Sequence, residues 1–354
     1  MQIQENISLR PYNTFGINVS ARYFSVFSSA DQLSELLDSR LQTLSSAKAA
    51  EGKPDSRLIL GGGSNILFTR NFDGLVLKND IKGIEELHED EDYVYVRAGA
   101  GENWHGFVQY CINRNWAGLE NLSLIPGNVG ASPMQNIGAY GVEVEDLFWD
   151  LEAIHLQEKK LHTFTKTDCQ FGYRDSVFKH KFKNEFAIVN VSFRLRKKPV
   201  FHTSYGAIQQ ELERLGVHDL SIRAISDAVI NIRRSKLPDP EEIGNAGSFF
   251  KNPSVPKILY EALKIKYPNI VGYINADGSV KLAAGWMIEQ CGPRDSVSWK
   301  GYRSGDAGCH AKQALVLVNY GNAMGDEIFE LSEKIVKSVK EKFGVELERE
   351  VNII

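Results

Sequence analysis

Apolar residues recur at helical spacing early in the chain, where Leu33, Leu36, Leu37, Leu41 and Leu44 follow one another at steps of three and four. Ser29 and Gln32, just ahead of them, have the spacing of a capping box, so the pattern predicts a helix opening near residue 30. The run Arg57-Leu-Ile-Leu60 is short and apolar and predicts a strand, as does 93–96. Trp104, Phe107, Val108, Cys111 and Ile112 return to helical spacing on one face. Residues 188–195 alternate instead. Val189, Val191, Phe193 and Leu195 share one side and mostly polar groups the other, which is the period of a strand.

After the basic break Arg196-Lys-Lys-Pro199 the character of the chain changes, and a domain boundary is expected there. Ile222, Ile225, Val229 and Ile232 mark a helix that the prolines of Leu237-Pro-Asp-Pro240 stop near Lys236. A strand at 314–319 leads into a long helix that Gly344 can end in a left-handed conformation. Val345, Leu347, Val351 and Ile353 then alternate with Glu346, Glu348 and Glu350, so 345–354 is expected to be a closing strand.

With 354 residues the chain exceeds the size of most single cores, and two or three domains are expected. A net charge of -4 argues against nucleic acid or an anionic membrane as partner, so an anionic ligand needs a local cluster of cations. Four cysteines without a CxxC pair read as reduced thiols, and no histidines stand at a metal-ligand spacing; no metal is predicted. The first residues lack a basic region followed by an apolar stretch, and no apolar run approaches the length of a membrane span. A cytoplasmic protein is the expectation.

Candidate chemistry lies in four segments. Gly61-Gly-Gly-Ser-Asn65 follows a strand, yet Ile66 stands where GxGxxG needs its third glycine, and 66–74 reads as strand and turn instead of helix; neither a dinucleotide fingerprint nor a P-loop is present. Its glycines can still turn backbone N–H groups toward a phosphate, a reading about as strong as that of a plain turn. The stretch 126–141, Pro-Gly-Asn-Val-Gly-Ala-Ser-Pro-Met-Gln-Asn-Ile-Gly-Ala-Tyr-Gly, is nearly uncharged and rich in glycine, which suits backbone wrapped around a large flat ligand or an irregular core loop. Phe171-Gly-Tyr-Arg-Asp-Ser176 sets Arg174 between an aromatic and an acid, also the pattern of a surface ion pair. In Gly244-Asn-Ala-Gly-Ser-Phe-Phe-Lys-Asn-Pro253, small residues leave the Ser248 hydroxyl approachable, but GxSxG is absent and no serine-hydrolase elbow forms.

These segments, in this order, together with Tyr12-Asn-Thr-Phe-Gly16, Lys236-Leu-Pro-Asp-Pro240, Asp277-Gly-Ser-Val-Lys-Leu-Ala-Ala-Gly-Trp286 and Glu350, resemble the UDP-N-acetylenolpyruvoylglucosamine reductase family over nearly the whole chain. Ser204-Tyr-Gly206 resembles the form of the family that has a tyrosine-bearing substrate loop. The resemblance implies an α+β protein with an FAD-binding fold of the vanillyl-alcohol-oxidase type in two subdomains, 1–77 and 78–198. It also implies a separate α+β substrate-binding domain at 199–344, with 345–354 returning to the active site. Gly61, Gly62, Gly63, Ser64 and Asn65 are implied to enclose FAD together with Pro126, Gly127, Val129, Gly130 and Ser132, and with Pro133, Asn136, Ile137, Gly138 and Ala139. No histidine lies near the first loop, so FAD is expected to be held without a covalent bond. The first loop departs from some relatives at Gly62, where they carry an acid.

By the same resemblance Ser248 is the proton donor, and Arg174 and Glu350 flank a substrate carboxylate. Tyr205, Lys236 and Asn252 hold the UDP pyrophosphate, Arg233 adds a further phosphate contact, and Tyr140 and Tyr173 complete the substrate set. The implied reaction is NADPH-dependent, FAD-mediated reduction of UDP-N-acetylglucosamine enolpyruvate to UDP-N-acetylmuramate; with no obvious exposed zipper in the sequence, a monomer is the default expectation. An arginine suits the charge that builds on the carboxylate, and Glu350 assists only as a protonated donor. The alternatives are a sugar or hydroxy-acid oxidase on the same fold, or a non-catalytic nucleotide-sugar-binding module. An NAD-dependent dehydrogenase is weakest, since its fingerprint fails.

Overall fold

The computed structural model describes residues 2–39, 57–293 and 297–354. The first leucine stripe forms the helix Ala30–Ser39, with Leu33, Leu36 and Leu37 buried; Leu41 and Leu44 lie outside the described residues. The Ser29 hydroxyl caps Gln32 N at 3.1 Å, as the capping box requires. The Gln32 side chain, however, reaches back to Ser28 N (2.8 Å) instead of closing the box on Ser29.

The chain divides into two compact units. The first comprises Met1–Ile7, Ala21–Gly62 and Asp73–Ser235, and the second Ser8–Ser20, Gly63–Phe72 and Lys236–Ile354. In the first unit Gln4–Ser8, Ser20–Phe27, Phe72–Asn79 and Arg57–Leu60 form one sheet in that order. A five-stranded antiparallel sheet runs Leu161–Thr165, Phe148–His155, Phe186–Arg196, Tyr93–Gly99, Ile84–Glu89.

The helix Trp104–Asn113 is capped by the Asn103 side chain, which accepts from Gly106 N at 2.8 Å. Its apolar face packs on Val191, Phe193 and Leu195, with the Phe107 and Phe193 rings 5.0 Å apart. Burial of each such side chain stabilises by about 1.5–3 kcal/mol. The long strand departs from simple alternation: Ile188 and Ser192, on the side expected to be polar, are buried as well. Helices Gly206–Arg214 and Ile222–Lys236 follow the basic break and share a core of Ile208, Leu212, Ile225 and Val229, against which Tyr140 packs.

In the second unit Gly244–Ser248, Val316–Asn319, Ala307–Cys309 and Arg303–Ser304 form a four-stranded sheet. The helix Gly325–Phe343 buries Ile328, Leu331, Ile335 and Val339 and ends at Gly344 with φ +69°, as expected. The closing segment alternates in burial, but only Asn352–Ile353 form a strand, parallel to Ile66–Leu67. Upstream, Glu350 N donates to Phe249 O and Lys251 N to Glu348 O, both at 2.9 Å. This is a single antiparallel bridge, Phe250 opposite Arg349, and further along the same register stands Pro253, which has no N–H to donate. Among the described residues no helix is long and apolar enough to cross a membrane.

Candidate active site

In the first unit Gly61 and Gly62 approach the stretch 126–141 closely. A Cβ added at Gly62 would stand 2.9 Å from Gly127 Cα, and one at Gly130 would stand 3.1 Å from Ala100 Cα, so only glycine permits these approaches. The loop 126–141 is tied down along its length: Trp104 N donates to Gly127 O, Val129 N to Glu102 O and Gly130 N to Ala100 O, each at 2.9 Å. It then forms the short hairpin Gly138–Ala139 with Val142–Glu143.

Of the residues expected to hold FAD, Gly63, Val129, Ser132, Pro133 and Asn136 are buried. Gly61, Gly62, Ser64, Asn65, Gly127, Gly130, Ile137, Gly138 and Ala139 are half-buried, and Pro126 is exposed. A cradle walled by main chain, with no Cβ on its glycines, fits a flat ligand that carries phosphates. As expected from the missing third glycine, the first loop runs into the strand Ile66–Leu67 and not into a helix.

Arg174 occupies a two-residue turn closed by Gly172 N to Asp175 O and Asp175 N to Gly172 O, both 3.1 Å. Its φ is +53°, a left-handed conformation that costs a non-glycine residue roughly 1 kcal/mol. The guanidinium donates to the carbonyls of Asn136 (3.3 Å) and Gly138 and faces Glu143 Oε1 at 3.8 Å. Burial pushes the Glu143 carboxyl up, and the Arg174 charge opposes that shift.

Arg233 belongs to the same neighbourhood. Its Nε donates to Leu124 O at 3.1 Å, and its guanidinium is pushed down by burial, opposed by Tyr140 and reinforced by the Arg174 charge. The Tyr140 ring meets that of Tyr205 edge-on at 5.6 Å, and its carbonyl accepts from Asn121 Nδ2 at 3.0 Å. Burial raises the Tyr140 hydroxyl pKa, against the pull of Arg233. The Tyr173 ring lies 5.4 Å from Arg174 Cζ, and both Tyr173 and Tyr205 are exposed. Arg174, Arg233, Tyr140, Tyr173 and Tyr205 thus form one cationic, aromatic group in the first unit.

The second unit holds Ser248, Glu350, Asn252 and Lys236. Ser248 ends the strand Gly244–Ser248, where a register shift after Asn245 and Gly247 at φ +68° turn the chain. The bond from Glu350 N to Phe249 O sets the acid beside the residue that follows Ser248, and Asn65 Nδ2 donates to Glu350 O at 3.2 Å. Thr14 steadies the strand: its hydroxyl donates to Asn245 O at 2.6 Å and its N–H to Gly63 O at 3.1 Å. Asn252 Oδ1 accepts from Ala284 N at 3.0 Å, at the opening of the helix Ala284–Glu289. Lys236 is exposed at the end of its helix.

The four thiols are buried, and burial holds Cys169 and Cys309 at about 12, far from thiolate character at neutral pH. Two residues near the site were not singled out from sequence. Glu143 carries only the signal of an acid directly behind a glycine-rich loop, and Thr14 only its place in a short motif.

The sequence model of the UDP-N-acetylenolpyruvoylglucosamine reductase C-terminal domain matches residues 239–354, and that of an FAD-binding domain matches residues 39–158. A UDP-N-acetylenolpyruvoylglucosamine reductase from Amoebophilus asiaticus is 51% identical over 355 residues, covering 100% of both chains. One from Pseudomonas putida is 50% identical over 353 residues, covering 100% of this chain and 99% of its own. The crystal structure of the reductase from Thermus caldophilus superposes with a TM-score of 0.65 at 21% identity, covering 100% of this chain and 99% of that one, which shows a common fold. The chain carries the FAD-binding fold expected of it, joined to the C-terminal domain of these enzymes. With matches of this identity running end to end, the chain belongs to the UDP-N-acetylenolpyruvoylglucosamine reductase family.

Proposed function

We propose that this protein reduces UDP-N-acetylglucosamine enolpyruvate to UDP-N-acetylmuramate with NADPH as electron donor, acting as a cytoplasmic monomer that holds FAD non-covalently. The observation that carries the reading is the fixed, half-buried Arg174 guanidinium grouped with Arg233, Tyr140 and Tyr205: cations and hydroxyls placed for a ligand bearing a carboxylate and a pyrophosphate. FAD would be held by the two glycine-rich stretches and would supply the hydride chemistry between NADPH and the terminal methylene carbon of the enol ether. Gly61, Gly62, Gly127 and Gly130 present main chain to it.

The chain's own groups manage the charge and the proton. Addition of hydride drives negative charge through the adjacent carbon into the substrate carboxylate. Arg174 binds that carboxylate, and Glu350, when protonated, donates to it; such donors commonly contribute ~3 kcal/mol each to the transition state. Ser248 gives its hydroxyl proton to the carbanionic carbon. A serine is a weak acid, yet a carbanion is the stronger base, so the transfer runs downhill. Tyr205, Arg233, Lys236 and Asn252 hold the pyrophosphate, and Tyr140 and Tyr173 pack on the substrate.

Incubation of the holoenzyme with NADPH and UDP-N-acetylglucosamine enolpyruvate tests this by mass spectrometry. The expected product is heavier than the substrate by two hydrogen atoms. An unchanged substrate together with oxygen-dependent peroxide formation would move the protein to the oxidases.

A further inference from the structure

Arg174 does not hold its own position. Its backbone conformation, φ +53°, is one that an arginine leaves unless its surroundings oppose it. The backbone is held by the two bonds between Gly172 and Asp175 and by Lys179 Nζ, which donates to Arg174 O at 3.1 Å; the guanidinium is bonded to the carbonyls of Asn136 and Gly138 and faced by Glu143 Oε1 at 3.8 Å. Glu143 is itself fixed through its other oxygen, which accepts from Asn136 Nδ2 at 2.8 Å. The same amide nitrogen donates to Gly172 O at 3.1 Å, and Asn136 Oδ1 accepts from Glu145 N at 3.0 Å. Asn136 is fully buried, so these bonds are shielded from water. Gly172 opens the turn that carries Arg174. One buried amide therefore ties the acid to the base of the turn and leaves the acid facing the turn's guanidinium.

We propose that Glu143 is a positioning residue for the reaction: anchored by Asn136, it keeps the Arg174 guanidinium aimed before the substrate carboxylate arrives. The proposal rests on the reading of Arg174 as the carboxylate-binding group. Two arginines without a counter-charge would repel each other, and the Arg174 guanidinium could swing out to solvent on its flexible stem. A carboxylate free to move would follow it, whereas one held by a buried amide cannot. A glutamine at 143 keeps an acceptor for Asn136 and removes the attraction.

Stopped-flow mixing of the NADPH-reduced holoenzyme with UDP-N-acetylglucosamine enolpyruvate, without oxygen, reads the effect as the rate at which the flavin regains its colour. Glu143→Gln is expected to slow that step at saturating substrate by about tenfold to a hundredfold, because small displacements of a reacting group cost this much. The substrate concentration for half-saturation and the rate of flavin reduction by NADPH are expected to change by no more than about twofold. Glu143→Asp is expected to recover most of the rate. In an Arg174→Lys background the Glu143→Gln change is expected to add less than about twofold, as for groups acting through one another.

A wild-type rate in Glu143→Gln, or an effect that multiplies fully with Arg174→Lys, would overturn the proposal. Loss of bound flavin in both Glu143→Gln and Glu143→Asp would overturn it too, since the residue would then be supporting the fold. Failure of the wild-type enzyme to regain colour with this sugar nucleotide would instead remove the reading of Arg174, and the proposal with it.

Discussion

The Arg174 turn and the Ser248–Glu350 segment differ in how the side chain itself is aimed. Arg174 stands in a left-handed conformation on a turn closed by main-chain bonds, and its guanidinium is faced by Glu143, which the Asn136 side chain anchors. Ser248 and Glu350 sit on neighbouring stretches of extended chain joined by main-chain bonds, with Glu350 N on Phe249 O and Thr14 bracing Asn245. The first arrangement depends on the identity of its neighbours, and a single neutral substitution can loosen it. The second is carried mainly by main-chain bonds, braced by the Thr14 hydroxyl and the Asn65 amide, so the Ser248 and Glu350 side chains can be exchanged with the frame intact. Under the proposed reaction, strain held by neighbours goes with the group that grips a charge, and the regular frame with the group that gives up a proton.

The largest effect that sharpens this contrast is expected from Ser248→Ala. Substrate-dependent recovery of flavin colour falls by about 10²–10⁴-fold, the range for a lost general acid, while reduction by NADPH and the melting temperature stay near wild type. Turnover near the wild-type rate would remove Ser248 as the donor.

Next comes the frame itself. Gly63 has φ +63°, and a Cβ there would lie 2.9 Å from Asn13 Cα, so Gly63→Ala is expected to destabilise by at least about 1 kcal/mol in a thermal melt. Gly61→Ala meets only Asn128 Cβ at 3.8 Å and is expected to leave the apoprotein melt within about 0.5 kcal/mol while weakening FAD binding. Equal stability losses at the two glycines would make the whole loop a structural turn.

The smallest effect concerns Glu120, buried at 1% exposure beside Asn121, which holds the Tyr140 carbonyl. Burial raises its carboxyl pKa although Gly118 N donates to it at 2.6 Å. The folded state therefore binds the proton more tightly than the unfolded chain. The stability this gives is full below the ordinary glutamate pKa of 4.5 and is lost as pH rises through the raised value. Glu120→Gln is expected to flatten that decline and to raise the melting temperature at pH 7 by about 2 °C. A lower melting temperature at pH 7 would mean that the ionised form is the better partner for Gly118.

Features set by local rules were legible in the sequence. The Trp104–Ile112 stripe, the strand Arg57–Leu60 and the left-handed Gly344 each follow from spacing or from one residue's conformational freedom. Burial of Ser192 and Ile188 was not legible, because it depends on what covers the far face of the sheet. The short pairing at 348–350 was not either, since it depends on the stretch 249–251, distant in sequence. For the site, the ordered motifs pointed to Arg174, Ser248 and Glu350, but nothing local to Glu143 signals its contact with Arg174. That contact exists only once the 126–141 loop is folded onto the turn.

The most direct test is the visible spectrum of the purified holoenzyme without oxygen, recorded as NADPH and then UDP-N-acetylglucosamine enolpyruvate are added. The expected result is a yellow protein that bleaches with NADPH and regains its colour only with the sugar nucleotide. A flavin that bleaches and then ignores the sugar nucleotide, or a protein that cannot be loaded with FAD at all, would contradict the proposed reaction.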